Sequence, residues 1–294
     1  MANNSLIFVT IGIVFMLSSS WAFSPTTKSL VGANLRVRGP LLDKRLATGR
    51  IRKVALKAQE TTGGWLELEG GEEAPPRLLY GVVWTVLTIY AFNFSPGGGD
   101  AAAAIDLELA KKMITTPFDG TGSAIFAAVF NSLGVLPAVY GSLLLPGGKE
   151  QKIPAIAFVS AMFAGGFFAI GPYLALRNYR TETTKETRGR GSGAFESKLT
   201  GLLLTSFSLF LAYYAFFSGD FGTSLKQYSE LFWTQRLVHV STIDAIILSL
   251  FVAEPMAEDM KRRNFDGPSA AVFSTIPIIG PSVYLLMRPP LPEE

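Results

Sequence analysis

Few residues in this chain can do chemistry, and the most conspicuous stands where water should be absent. In "RLVHVSTIDAIILSLFVAEP", Arg236 to Pro255, the only histidine, His239, and an acid, Asp244, sit within a mostly apolar run. An ionised aspartate at the middle of a membrane helix costs about 2.5–3.5 kcal/mol on insertion scales, so Asp244 is expected to face protein and not lipid. At roughly 100° per residue, Ser241 falls about 60° from Asp244 and forms a small polar patch with it. His239 lies about 140° away, which makes a His–Asp pair within one helix poor geometry. Any further partner for Asp244 must come from another segment, where Asn131, Ser132 and Tyr140 offer polar groups. Two roles follow: a hydrogen-bonding acid that fixes how helices meet, or a proton or cation relay, for which Glu254 is the only other ionisable group near that depth. Arg236 and His239, beside Trp233, are expected at the headgroup level of a membrane.

The remaining inventory excludes more than it suggests. With no cysteine and one histidine, the chain cannot build thiolate metal sites, iron–sulfur clusters, bis-histidine haem or histidine-box metal centres. No Walker spacing and no G-x-S-x-G elbow occurs. No catalytic residue, metal or cofactor is therefore expected, and a bound pigment or lipid is left open, with His239 a candidate pigment or haem ligand. Nearly half of the residues are hydrophobic and only 17% are charged, the balance of a membrane protein. The net charge of +3 is uninformative about nucleic acid, because residues 1–58 hold nine lysines and arginines against Asp43 alone and leave the rest net acidic. No nucleic-acid partner is expected.

Positioning falls to helices. Apolar segments of membrane-crossing length recur at Leu78–Phe94, Ser123–Leu145, Ile153–Leu176, Leu199–Phe217, Leu237–Ala253 and Ala270–Met287. No alternating pattern suggests a barrel, so the sequence predicts an all-α, polytopic helical bundle of about six spans over residues 78–290. Sorting alternate loops by lysine and arginine puts eleven on one side, including Arg177 and residues 261–263, and six on the other, including Arg288. The positive-inside rule then sets the first group facing the side of insertion, with both ends of the bundle opposite. "AAAAIDLELAKKMI" reads as a short interfacial helix, and "RNYRTETTKETRGRGSGAFESK" as a polar linker.

Upstream, residues 1–22 read as a signal peptide, 23–58 as a basic, nearly acid-free transit peptide, and 59–77 as a polar linker. The junction "SWA-FSP" resembles the bipartite presequences of algae with secondary plastids, which implies a plastid membrane, thylakoid or inner envelope. One internal echo stands out: "IGPYLALR" (170–177) and "IGPSVYLLMR" (279–288) close the third and sixth segments. If it marks a duplication of three spans, the odd number per unit makes the repeats inverted.

The segments "FDGTGSAIFAAVFNSLGVLPAVYGSLLLP", "QKIPAIAFVSAMFAGGFFAIGPYLALR", "RLVHVSTIDAIILSLFVAEPMAEDMKRR" and "PIIGPSVYLLMRP" resemble a group of multi-spanning proteins of cyanobacteria and of plant and algal plastids. The resemblance implies a photosynthetic membrane and supplies no site residues. The leading expectation is a non-enzymatic integral protein that assembles, scaffolds or maintains a photosynthetic membrane complex, with membrane lipids and that complex as its partners. A small transporter or ion pathway centred on Asp244 comes second, and an intramembrane enzyme of lipid or carotenoid metabolism third.

Overall fold

The structure is a computed structural model that describes residues 77–149, 151–182 and 188–292; the signal-peptide, transit-peptide and most of the linker assignments lie outside these. Every regular element among the described residues is helical, and the protein is an all-α helical bundle. In chain order the elements are α1 (Arg77–Asn93), α2 (Asp100–Thr115), α3 (Ala124–Leu144), α4 (Ala155–Leu176), α5 (Ser192–Phe195), α6 (Lys198–Phe217), α7 (Phe221–Thr234), α8 (Arg236–Phe251), α9 (Ala253–Arg262), α10 (Ala270–Ser274) and α11 (Ile279–Met287). Four stretches are long and apolar enough to cross a membrane: 124–147, 155–176, 198–217 and 236–262. At 17 residues α1 falls just short of that length.

One of those four does not cross. Within α4 the backbone of Gly166 takes φ 49°, ψ −129°, far from helical values. In a straight helix Phe158 and Tyr173 would be about 22 Å apart, yet their ring centroids lie 5.7 Å from each other. At the base of the two arms the Asn178 amide donates to Gln151 Oε1 at 2.7 Å, and Gln151 Nε2 donates to the Asn178 carbonyl at 3.0 Å. The segment is therefore a hairpin that enters the bundle, turns at Gly165–Gly166 and leaves by the same end. Pro172 deprives the Phe168 carbonyl of its helical donor, and the Trp84 indole N–H of α1 supplies one at 2.9 Å.

The last predicted span is a second hairpin. Here α10 and α11 are joined through Pro277 and Ile278, the latter at φ 66°. Phe273 and Tyr284 meet at 5.6 Å, and Arg263 Nη1 donates to the Pro289 carbonyl at 2.7 Å across the base. Gly280 permits the turn, since a Cβ there would fall 1.7 Å from the Phe273 carbonyl oxygen.

The third and sixth predicted spans are thus re-entrant, and the crossing elements are α1, α3, α6 and the nearly continuous α8–α9. The order crossing helix, short helix, crossing helix, hairpin occurs twice, as α1-α2-α3-α4 and α6-α7-α8/α9-α10/α11. Packing repeats as well: α1 lies along the returning arm of α4, with Trp84 against Gly171, and α6 lies along α11, with Ser208 facing Ser282. Each unit crosses twice, so the two have the same orientation, and the inverted arrangement predicted from the echo is corrected. Both echoed arginines close a returning arm at the same end of the bundle.

The topology changes accordingly. Arg77, Lys149, Lys152, Arg177, Arg180, Arg188, Arg190, Lys198, Lys261, Arg262, Arg263 and Arg288 belong to one end, and Lys111, Lys112, Lys226 and Arg236 to the other. Twelve described cations against four is a sharper asymmetry than the predicted loops gave. It sets both ends of the bundle on the cation-rich side, the reverse of the prediction.

Small residues allow the close crossings. A Cβ at Gly201 of α6 would sit 2.8–2.9 Å from the backbone of Leu285 and Leu286. Gly201→Leu is expected to push α6 off the second hairpin at a cost of about 1–3 kcal/mol, read as a lower thermal midpoint in detergent. An unchanged midpoint would contradict this packing.

Candidate functional site

Two polar constellations occupy opposite ends of the bundle. At the cation-rich end the arginines that look like helix-end snorkels are buried, because α9 carries the complementary acids one helical turn apart. Arg177 Nη2 donates to both oxygens of Glu254 at 2.7 Å, and its other nitrogen pairs with Glu258. Asp259 accepts four side-chain donors: Arg262 at 2.9 Å, Arg263 at 2.8 Å, Arg288 at 2.9 Å and the Tyr284 hydroxyl at 2.9 Å. Glu196, just after α5, pairs with Arg263 at 2.8 Å, so the polar linker ends in an anchored segment. Arg177, Arg262, Arg263 and Arg288 balance Glu196, Glu254, Glu258 and Asp259 in charge. The guanidiniums also serve the backbone: Pro146 leaves the Ser142 carbonyl without a helical donor, and Arg288 Nη1 donates to it at 2.9 Å. Each hairpin is thus tied at its base to α9, the first through Arg177 and the second through Arg288. Tyr80 of α1 joins the network, its hydroxyl donating to Glu254 at 3.0 Å.

Glu254 is therefore held in an ion-pair network and not poised beside Asp244 as a relay partner. What meets Asp244 is backbone. The Phe167 N–H donates to Asp244 Oδ1 at 2.8 Å. Phe167 opens the returning arm of the first hairpin, whose first amides have no helical acceptor, so Asp244 acts as a cap supplied by another helix. The positive end of that arm also favours the negative charge. None of the polar side chains predicted as partners is used: Asn131 Nδ2 donates to Ala127, Ser132 to Val129, and Tyr140 to the Leu248 carbonyl. Gly166 is required here, because a Cβ would lie 1.7 Å from Asp244 Oδ2.

Asp244 is 5% exposed, and its second oxygen accepts no hydrogen bond. It lies at the inner wall of a cavity of about 800 Å³ formed by α1, α2, α3, the hairpin tip and α8. Ser241 and Asn131 line the same cavity, so three predicted polar residues share one space with the Gly165–Gly166 turn. Arg236 and Asp106 line it too. Arg236 stands eight residues from Asp244 on one helix, about 12 Å along the axis. Burial raises the Asp106 carboxyl above its ordinary range, partly offset by the Leu237 backbone and by Arg236.

His239 points elsewhere. It is 3% exposed, packed on Phe232 with ring centroids 4.3 Å apart. The Phe232 carbonyl can only accept, so Nδ1 carries the proton at 2.9 Å and Nε2 accepts from the Tyr90 hydroxyl at 2.7 Å. Both nitrogens are engaged, leaving none for a pigment. The second hairpin has its own tip cavity, about 410 Å³, lined by Ser132, Ser249, Thr242 and Tyr228 among apolar residues and by no charged side chain. Of the two tip cavities, only the first is lined by charged side chains. No known family, curated protein or solved structure matches the chain.

Proposed function

We propose that this protein is a membrane transporter in which the cavity at the first hairpin receives a small cationic solute or ion. The observation that carries this reading is Asp244, a buried carboxylate with one oxygen on the Phe167 amide and the other free at the inner wall of the cavity. Broken helices whose ends meet near mid-depth supply polar groups where an unbroken helix has none to spare. A carboxylate that served only to lock two helices would have no need of an open volume beside it. The ion-pair network occupies the opposite end of the bundle and anchors the hairpins there.

The composition of residues 1–58 supports a plastid membrane as the location, thylakoid or inner envelope. An assembly role in a photosynthetic complex, the leading expectation from sequence, accounts for the apolar exterior but leaves the cavity and the free oxygen of Asp244 without purpose.

The test is electrical. Proteoliposomes adsorbed on a solid-supported membrane should give transient currents on concentration jumps of monovalent organic or inorganic cations, and Asp244→Asn should abolish them. The amide keeps a carbonyl oxygen for the Phe167 N–H, so the variant is expected to retain its thermal midpoint within about 1 kcal/mol. Absence of current for any cation in the wild-type protein, or currents unaltered in the folded variant, would refute transport.

A further inference from the structure

We propose that the cavity of the first unit binds an amphiphilic monovalent cation, a positively charged head on a hydrocarbon body, and admits it sideways from the bilayer. This deepens the transport reading by naming the class of molecule, but binding itself does not depend on transport. Among the charged residues lining the cavity, Asp106 and Arg236 attract each other at its outer end, which leaves Asp244 at the inner wall without an ionic partner. One backbone amide does not neutralise a carboxylate, and a buried charge is costly until an opposite charge joins it. The complement is a cationic group that can donate to the free oxygen, with Ser241 and Asn131 beside it.

The shape of the cavity selects the rest of the molecule. Away from these residues the lining is hydrocarbon and aromatic, including Met113, Leu133, Phe130 and Met162. The rim is found from exposure: Phe92 is 70%, Ile114 72% and Phe163 60% exposed. Phe92 and Ile114 lie toward the cavity end of the bundle, whereas Phe163 is eight residues into the entering arm, about 12 Å from its start. Gly134, at the centre of the crossing helix α3, lines the cavity and is also exposed. The mouth therefore extends from one headgroup region down to hydrocarbon depth, where the molecules outside are lipid tails. A head that must reach Asp244 through such a mouth travels with an apolar body.

The experiment uses the protein in lipid nanodiscs and a ten-carbon primary alkylammonium bearing a diazirine, with labelled residues read by mass spectrometry. Labels are expected on the entering arm of the first hairpin and the middle of α3. The matching alcohol and carboxylate should label these positions at least tenfold less, and Asp244→Asn should reduce the amine to the level of the alcohol. A Cβ at Gly134 meets nothing within 4 Å, so Gly134→Leu should fold, fill the mouth and suppress labelling while leaving Asp244 untouched. Equal labelling by the three head groups, or indifference to Gly134→Leu, would overturn the proposal, as would displacement of the amine by millimolar sodium or potassium, which would assign the site to an inorganic cation. Selective labelling in a protein that passes no current would preserve this binding site and remove transport.

Discussion

Asp259→Ala is expected to be the most damaging single substitution in the bundle. It removes the acceptor of Arg262, Arg263, Arg288 and Tyr284 together, and all three arginines are nearly inaccessible. Breaking a buried ion pair by deleting one partner costs about 3–5 kcal/mol because the other charge stays buried, and here three guanidiniums lose their common partner. The expected result is a thermal midpoint too low for purification as a single species in mild detergent. Arg288→Met should be less severe, since Asp259 keeps two arginines, but it should free the base of the second hairpin to proteolysis near residue 289. A control comes from Lys112 and Asp119, 3.8 Å apart and both about a third exposed; removing that pair should change stability by about 1 kcal/mol or less. Equal effects at the two sites would mean that the network is solvated.

The second large effect is expected at Gly166, and its sign discriminates between folds. In an uninterrupted helix Gly166→Ala would stabilise by about 1 kcal/mol. In the hairpin the residue has φ 49°, where the new methyl group would collide with Asp244 Oδ2. The backbone penalty alone is about 1–3 kcal/mol, and displacing Asp244 adds to it, so a stability loss of about 3 kcal/mol or more is expected, read as a lower thermal midpoint. Gly165→Ala should be mild by comparison, since its Cβ meets only the Ala169 methyl at 3.3 Å. A stabilised Gly166→Ala protein would restore the straight helix.

Much of this fold was legible in the sequence, and the misreadings share a cause. Hydropathy counts apolar length, and 155–176 has the length of a span. What turns it back is one glycine conformation, and an adjacent glycine pair is too common in membrane helices to announce a reversal. The second hairpin has a clearer trace in the sequence, Pro277 and the Gly280–Pro281 step close together within one predicted span. The arginines at 177 and 288 look like snorkelling ends from sequence because the fifth predicted span stops at Ala253, with Glu254 at its edge and Glu258 and Asp259 beyond it. Their spacing, Glu254 to Glu258 and Asp259 to Arg263, each four apart, was the available sign that the helix runs on to Arg262 with a charged face. At the site, the cost of an acid in lipid and the helical spacing were enough to turn Asp244 inward and to group it with Ser241. Its partner could not be read from side chains, because it is the amide of a phenylalanine exposed by a helix break. Arg236 and Trp233 place His239 at the headgroup level from sequence; what neighbours in sequence do not reveal is that Tyr90 and the Phe232 carbonyl bury its ring.

The duplicated unit also bears on function. Two hairpins of the same orientation create two tip cavities, and only the first holds a charge. In the second, the corresponding space is lined by hydroxyls and hydrocarbon, and Ser208 and Ser282 face each other at 3.3 Å. On the transport reading the first unit carries the ligand and the second serves as its structural counterpart, so a charge placed at Ser249 should impair folding without creating a second binding site.

The first cavity and the cap on Asp244 depend on residues 155–176 entering and leaving the bundle by one end. The chain has no cysteine to remove, so spin labels can be attached at Ile156 and Leu176, both exposed, at 39% and 43%. A pulsed electron–electron distance measurement in nanodiscs should give a separation on the order of 10–20 Å, that of two packed helical arms with their labels. A distance near 30 Å, the length of twenty residues of straight helix, would contradict the hairpin, and with it the cavity, the role of Asp244 and the matched orientation of the two units.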